Sequence, residues 1–268
     1  MARPPRTLLL PRAEIEGLMR LDTSFGPVLL SGCRRPGAQR ASEDSLLVHY
    51  DEDELVLVVA DGAGGHMLGG EASQAAVEAV AATLDDVELE GSVEDKMRSI
   101  RKAAVEAVAA LGQEAITTLA IAWIRGNQLV TCHAGDSTIL LMGQRGRRKL
   151  RTMDHTPPGL EVAAGRLTLD QARSHPERHL LVNALGSKEV GWEITGPIEI
   201  GKRDTLVLAT DGLFDNLSDD EIVRYLRKGS FEDGMQDMLA RNDVRMDEDD
   251  GPWSGKPDDV AVLAWRPR

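Results

Sequence analysis

Two apolar runs of strand length end in the same dipeptide: residues 55–62 read LVLVVADG and residues 206–212 read LVLATDG. A carboxylate at the end of a buried strand is costly to desolvate unless a positive charge meets it. A divalent cation does so efficiently, and an adjacent glycine lets a backbone carbonyl approach the same ion. Acidic residues stand at three more strand edges: Glu43-Asp44 before Leu46, Gly135-Asp136 after Ala134, and Asp258-Asp259 before Val260. Any one Asp has an ordinary use as a turn residue capping its own backbone. All of them together predict a fold that brings five strand edges to one acidic point.

The rest of the chain supplies the partners such a fold needs. Strand-like runs at 28–30, 46–49 and 55–60 precede two helical stretches. Val77, Val80 and Leu84 share one face of residues 71–84. Met97, Ile100, Ala104, Val108 and Leu111 share one face of 93–111, with Ser92 placed to cap that helix and Gly112 to end it. Strands at 117–124, 128–134 and 137–142 follow, the first two joined by Gly126-Asn127, and read as an antiparallel meander. Residues 157–190 carry no strand-like run, whereas 192–200, 206–210 and 260–265 do. A helix starts near Asp219, and the acidic stretch 243–255, with Asp247, Glu248, Asp249 and Asp250 together, reads as a solvated loop. Strands and helices in blocks predict α+β with antiparallel sheets rather than a doubly wound parallel sheet. Residues 1–25, broken by Pro4, Pro5 and Pro11, read as an N-terminal extension with at most a helical turn at 13–21, and 26–268 as a single domain.

Composition narrows the classes of function. A length of 268 residues and an apolar fraction of 42% suffice for one self-sufficient core, and with three Phe, four Trp and two Tyr that core must rest on aliphatic side chains. Lys and Arg total 31 against 44 Asp and Glu, a formal charge of -13 that repels nucleic acid and anionic membranes. Cys33 and Cys132 match no zinc spacing and read as reduced, buried thiols. The apolar stretch of the N-terminus, Leu8 to Leu10, is too short for a signal-peptide core, and no run reaches the length of a membrane span. A cytoplasmic protein is expected.

The site chemistry follows from its donors. Oxygen ligands without nearby Cys or paired His favour Mg²⁺ or Mn²⁺ over zinc. Several carboxylates without a nucleophile triad suit two-metal hydrolysis, in which ions about 3.5–4 Å apart share a water and lower its pKa. The Gly-rich loop at 62–70 lacks a dinucleotide fingerprint, because Met67 stands at the third glycine position, and no Gly-Lys-Ser/Thr follows.

From about Gly32 to Trp265 the chain resembles the metal-dependent serine/threonine protein phosphatases, protein phosphatase type 2C. The motifs that carry the likeness are, in order, Ser42-Glu43-Asp44-Ser45, Asp61-Gly62-Ala63-Gly64-Gly65-His66, Thr117-Thr118-Leu119 and Gly135-Asp136-Ser137. They continue with Asp154-His155-Thr156, Gly165-Arg166-Leu167-Thr168, His175-Pro176, Ala184-Leu185-Gly186, Thr210-Asp211-Gly212-Leu213 with Asp215, and Asp258-Asp259-Val260. The Gly64-Gly65-His66 and His175-Pro176 forms look like the bacterial branch. The resemblance implies a four-layer α-β-β-α sandwich and hydrolysis of phosphoserine and phosphothreonine in proteins by a metal-activated water. It implies two Mn²⁺ or Mg²⁺ ions and a third, weaker one. Asp61 would bridge two, the Gly62 carbonyl would bind one, Asp211 and Asp258 would complete the pair, and Asp136 with Asp211 would hold the third. Glu43 and Asp44 would lie beside the metals, and residues 157–190 would form a flap whose part from Pro157 to Arg178 is mobile and helps choose substrates. Phosphoprotein substrates, a paired Ser/Thr kinase and a monomeric state are the partners it implies.

The sequence departs from that pattern at three places. The family's phosphate-gripping arginine stands four residues before the Glu, where this chain has Gln39, and Arg40 is the candidate one residue later. Ala63 stands where animal members carry a proposed acid, and Asp259 where Asn is common. A displaced arginine also suits an alternative, a catalytically weak or inactive relative that binds phosphoproteins as a regulator. An aspartate-nucleophile phosphatase would explain Thr210-Asp211-Gly212 but not the other motifs. His66, His133 and His155 read as structural rather than as metal ligands. The basic cluster of Arg145, Arg147, Arg148, Lys149 and Arg151 reads as a solvated hairpin, with docking of acidic proteins as its functional alternative.

Overall fold

Apolar runs become strands here because each has a layer on both sides. The structure is a computed structural model that describes residues 5–63, 67–86, 91–227, 229–247 and 255–268. In chain order, β1 (Arg6–Leu10), β2 (Met19–Thr23), β3 (Gly26–Cys33), β4 (Asp44–Tyr50) and β5 (Glu54–Asp61) lead into helices α1 (Gly69–Leu84) and α2 (Val93–Leu111). Strands β6 (Leu119–Arg125), β7 (Gln128–Ala134), β8 (Thr138–Met142) and β9 (Arg148–Arg151) follow, then the short helices α3 (Pro157–Ala163) and α4 (Leu169–Arg173). The chain finishes with β10 (Glu193–Glu199), β11 (Thr205–Ala209), α5 (Asp211–Phe214), α6 (Asp219–Leu226), α7 (Phe231–Met246) and β12 (Val260–Trp265).

Two six-stranded sheets result, in the orders β1-β4-β5-β6-β7-β10 and β2-β3-β12-β11-β8-β9, with antiparallel pairing throughout. Side chains of a strand alternate between faces. Accordingly Leu55, Leu57 and Val59 of β5 enter the core between the sheets with Leu206 and Leu208 of β11. Val56, Val58 and Ala60 pack outward with residues of α1 and α2, and Val207 and Ala209 pack outward with residues of α5, α6 and α7. This is the four-layer α-β-β-α sandwich, and it explains why the strands read as continuous apolar runs rather than alternating ones. Helix α2 carries the anticipated caps. The Ser92 side chain and Asp95 form a reciprocal capping box and Gly112 ends the helix, an arrangement worth about 1 kcal/mol.

Four expectations are corrected. Residues 5–25 are not a detached extension with a helical turn: β1 pairs with β4 and β2 with β3, so the 25/26 boundary falls inside a hairpin. The run Leu8-Leu9-Leu10 behaves as a strand because Leu8 and Leu10 pack against the inter-sheet core and Leu9 against the outer one. The meander stops after β7. Gly135, at φ 109, turns the chain, and β8 joins the other sheet between β9 and β11. The acidic stretch begins inside α7, which runs to Met246; residues 248–254 of it lie outside the described residues, as does Gly64-Gly65-His66. Cys132 is buried in β7 as expected, whereas Cys33 at the end of β3 is exposed, and both thiols are free. Among the described residues no helix is long and apolar enough to cross a membrane.

Candidate metal centre

Asp44 opens β4 and Asp61 closes β5, and the two are register partners. Asp44 has the parity of Leu46 and Val48, and Asp61 that of Leu57 and Val59, so both belong to the face between the sheets. Two threonines tie this edge together. Thr118 accepts the Asp61 N–H at 2.9 Å and its hydroxyl pairs with Ser137 at 2.6 Å, one residue from Asp136. Thr210 donates to Asp44 Oδ2 at 2.7 Å and accepts the Ala261 N–H at 3.0 Å, joining the ends of β11, β4 and β12.

Gly62 is buried beside Asp61, and its N–H donates to the Glu43 carbonyl at 3.1 Å. A Cβ there would run into the Gly69 carbonyl and come within 2.8 Å of the Glu43 carbonyl, so only glycine fits between α1 and the β4 entry. Gly135 is held from both sides by His155, donating its N–H to Nδ1 at 3.0 Å and accepting the His155 N–H at 3.1 Å, which fixes the turn presenting Asp136.

The carboxyls repel one another. Burial pushes Asp61, Asp44 and Asp136 well above the usual carboxylate range; neighbouring charges add to it, chiefly Asp44 on Asp61, Asp259 on Asp44, and Asp211 on Asp136. Asp215 is raised to about 7 and Asp258 to about 6, by burial first and by Asp211 second. Glu43 is raised too, mainly by burial. Such a set of buried hard oxygen donors lacking their full complement of positive charge fits a divalent cation of the Mg²⁺ or Mn²⁺ kind.

The positive charge present is specific. Lys256 Nζ forms ion pairs with Asp211, with Asp215 at 3.2 Å and with Asp258 at 3.1 Å. Arg178 Nε lies 3.3 Å from Asp215 Oδ2, and Arg173 Nε donates to the Phe214 carbonyl at 3.0 Å, so residues 157–190 are docked on α5. Arg40 lies beside the centre, with Nη1 3.0 Å from Glu43 Oε2 and 3.1 Å from Asp259 Oδ2. Asp259 also accepts the Arg35 N–H at 2.7 Å and the Glu43 N–H at 2.8 Å. The Asp at this position therefore does not lie open on the surface; it binds the 35–43 loop to β12.

The structure thus brings Glu43, Asp44, Asp61, Gly62, Asp136, Asp211 and Asp258 to one end of the sandwich, with Arg40 at the border. Sequence reasoning passed over Lys256 and Arg178, and quoted Asp215 without giving it a place in the site. The spacing of Asp211 and Asp215, four residues apart and bracketing α5, could have found the latter. Nothing local marks Lys256.

Two other features resolve. His133 and His155 stack at 4.7 Å, and with Glu193 they place potential ligand atoms near one another. An amide N–H only donates, so His155 Nδ1, bonded to Gly135 N–H, must accept; the proton then sits on Nε2, facing Glu193 at 3.7 Å. His133 Nε2 donates to the Met153 carbonyl at 2.8 Å. With His155's lone pair used by the protein, the cluster is a structural one. The basic hairpin is not simply solvated either: Arg148 pairs with Asp219 at 2.6 Å, Lys149 with Asp204 at 2.7 Å, and Arg151 with both Asp154 and Asp219.

Two clefts flank residues 157–190. The roomier, ≈ 730 Å³, is lined by Arg148, Arg151, Asp154, Thr168 and Arg173 and does not include the metal-centre carboxylates. A narrower one reaches Asp136, Asp211, Asp215 and Arg178.

A family model described as "Protein phosphatase 2C" matches residues 32–246. The serine/threonine protein phosphatase PstP of Mycobacterium tuberculosis is 36% identical over 199 residues, which cover 70% of this chain and 38% of that protein. The chain therefore spans well under half the length of that relative. Protein phosphatase PhpP of Streptococcus pneumoniae is 28% identical over 195 residues, 69% of this chain and 79% of PhpP. The catalytic domain of serine/threonine protein phosphatase PstP, solved in complex with two manganese ions, is similar in fold at a TM-score of 0.68 and 26% identity, covering 89% of this chain and 96% of that one.

Proposed function

Because the chain belongs to the protein phosphatase 2C family, we propose that it hydrolyses phosphoserine and phosphothreonine in proteins with the help of Mn²⁺ or Mg²⁺. The observation that carries this reading is the convergence of Asp61, Asp136, Asp211 and Asp258, with the Asp61, Asp136 and Asp258 carboxyls driven toward the protonated form by burial and by the charges around them. Asp61, the Gly62 carbonyl, Asp211 and Asp258 would hold two ions and Asp136 with Asp211 a third, with Glu43 and Asp44 orienting the ligand set from behind. Ions bound there would supply Lewis acidity and would lower the pKa of a water able to act as the nucleophile.

The chain's own groups do the rest. Arg40 binds the substrate phosphate: Glu43 and Asp259 hold Nη1, which leaves the other guanidinium nitrogens to take phosphate oxygens. Thr118 and Thr210 keep Asp61 and Asp44 in place as charge develops. Residues 157–190, docked through Arg173 and Arg178, act as the flap that selects the phosphoprotein, and the ≈ 730 Å³ cleft beside them takes the flanking peptide. The same reading places the protein in the cytoplasm as a monomer that opposes a Ser/Thr kinase.

The test is hydrolysis of p-nitrophenyl phosphate and of a phosphothreonine peptide with Mn²⁺, with Mg²⁺ and with chelator, for the wild type, Asp61→Ala and Asp211→Ala. Metal-dependent turnover lost in both variants is the expected result. Turnover that survives chelation, or that either variant leaves undiminished, overturns the reading.

A further inference from the structure

Lys256 is an unusual neighbour for a cation site. Its side chain is largely buried, and its ammonium forms ion pairs with Asp211, Asp215 and Asp258 together. Two of these carboxylates, Asp211 and Asp258, are assigned to the metal pair in the reading above, on which this inference rests. The ammonium is delivered from the loop just before β12, whose backbone is itself pinned: the Lys256 N–H donates to Asn216 Oδ1 at 2.8 Å and its carbonyl accepts from Asn216 Nδ2 at 2.9 Å. Asn216, 1% exposed, also donates to the Gly212 carbonyl, so one buried amide locks the Lys256 backbone to the α5 turn carrying Asp211 and Asp215. The ammonium is thus held over these acids by a built anchor rather than by a free surface side chain.

We infer that Lys256 is a tethered cation that competes with one divalent ion for the Asp211, Asp215 and Asp258 oxygens. An Mg²⁺ sharing them sits about 2.0–2.1 Å from each oxygen it binds, within the space where the ammonium makes its own contacts. Two cations cannot share that space at such distances without strong repulsion. The ion on this side therefore binds only as the ammonium withdraws. Before it binds, the ammonium neutralises part of the acidic edge, and its tether gives it a high effective concentration that no free ion matches at low metal. The device sets a metal threshold: the edge stays folded and charge-compensated at low metal and loads its last ion only when the supply is high.

Isothermal titration of Mn²⁺ into the chelator-stripped wild type and into Lys256→Met, which keeps length but not charge, tests this. The variant is expected to bind its weakest resolvable ion about tenfold more tightly, or to gain a site unseen in the wild type. Identical isotherms overturn the inference alone, whereas Mn²⁺ bound by neither protein overturns both it and the metal-centre reading. Should Lys256→Met fail to fold, the wild type decides by itself. Acylation of Lys256 by an amine-reactive ester, followed by peptide mass spectrometry, is expected to speed up at saturating Mn²⁺ as the ammonium is released; a rate that Mn²⁺ leaves unchanged or slows overturns the proposal.

Discussion

Asp44 and Asp61 face each other as the terminal register pair of β4 and β5, and among the described residues only Asp44 has a hydroxyl, that of Thr210, donating to its carboxylate. Two acids on neighbouring strands of one face repel unless a cation joins them. Asp61→Asn removes the charge while keeping the shape. Turnover with Mn²⁺ is expected to fall by about a thousandfold or more, while the melting temperature in chelator rises, because the remaining carboxyls lose a repulsive neighbour. Paired rate and melting measurements check both signs; a drop in both would mean that Asp61 serves packing.

The raised carboxyls give the metal-free protein a definite pH dependence. Asp215 titrates near 7 and Asp258 near 6 in the fold, against about 3.9 in an unfolded chain. A folded pKa above the unfolded one contributes stability that is fully present below about pH 4 and is lost as pH rises through 6 to 7. Asp215→Asn should therefore stabilise the chelated protein at pH 8, by about 1 kcal/mol or more, and do little at pH 4. Comparing variant with wild type at each pH cancels the opposite contribution of His49 and His155, whose pKa values burial lowers. Urea unfolding at the two pH values, with and without Mn²⁺, measures it.

Gly62 sits where a side chain has no room. Gly62→Ala forces its Cβ against the Gly69 carbonyl and the Glu43 carbonyl, both backbone atoms that cannot swing away. A loss of about 2–3 kcal/mol in urea unfolding is expected, with weaker Mn²⁺ binding because the shifted backbone carries Asp61 with it. An alanine variant of wild-type stability would show that α1 slides freely over the β5 end.

Arg40 reaches the centre despite its shifted position in the sequence, and Asp259 is the reason. With Arg40→Ala, KM for a phosphothreonine peptide should rise about tenfold while kcat changes less than about threefold, the split expected for a group that grips phosphate in ground and transition states alike. Steady-state kinetics at saturating Mn²⁺ decide; a large fall in kcat at constant KM would assign Arg40 to the chemistry instead.

Much of this was legible beforehand for a physical reason. Buried strands such as β5 and β11 advertise themselves as continuous apolar runs, and Asp61 and Asp211 show at their ends because a carboxylate in such a place has few other uses. Ser92 and Gly112 marked the limits of α2 through chemistry confined to one helical turn. The fold class and the acidic edge followed from these together with the ordered motifs.

What remained hidden depends on partners distant in sequence. Residues 6–10 gave no sign that the edge of β4 stood open for them, and β8 looked like the third strand of a meander until Gly135 sent it to the opposite sheet. Asp259 stood out only as an Asp where Asn is common until Arg35, Arg40 and Glu43, more than two hundred residues earlier, closed around it. Lys256 looked like one more loop lysine until Asn216 anchored it over the carboxylates of Asp211, Asp215 and Asp258. Sequence by itself determined which segments must be buried and which residues carry charge at their ends, since both depend on the character of neighbouring side chains. Tertiary structure alone decided how those charges are compensated, because the energy of an ion pair depends on distance in space, and distance in space between remote residues exists only once the chain has folded.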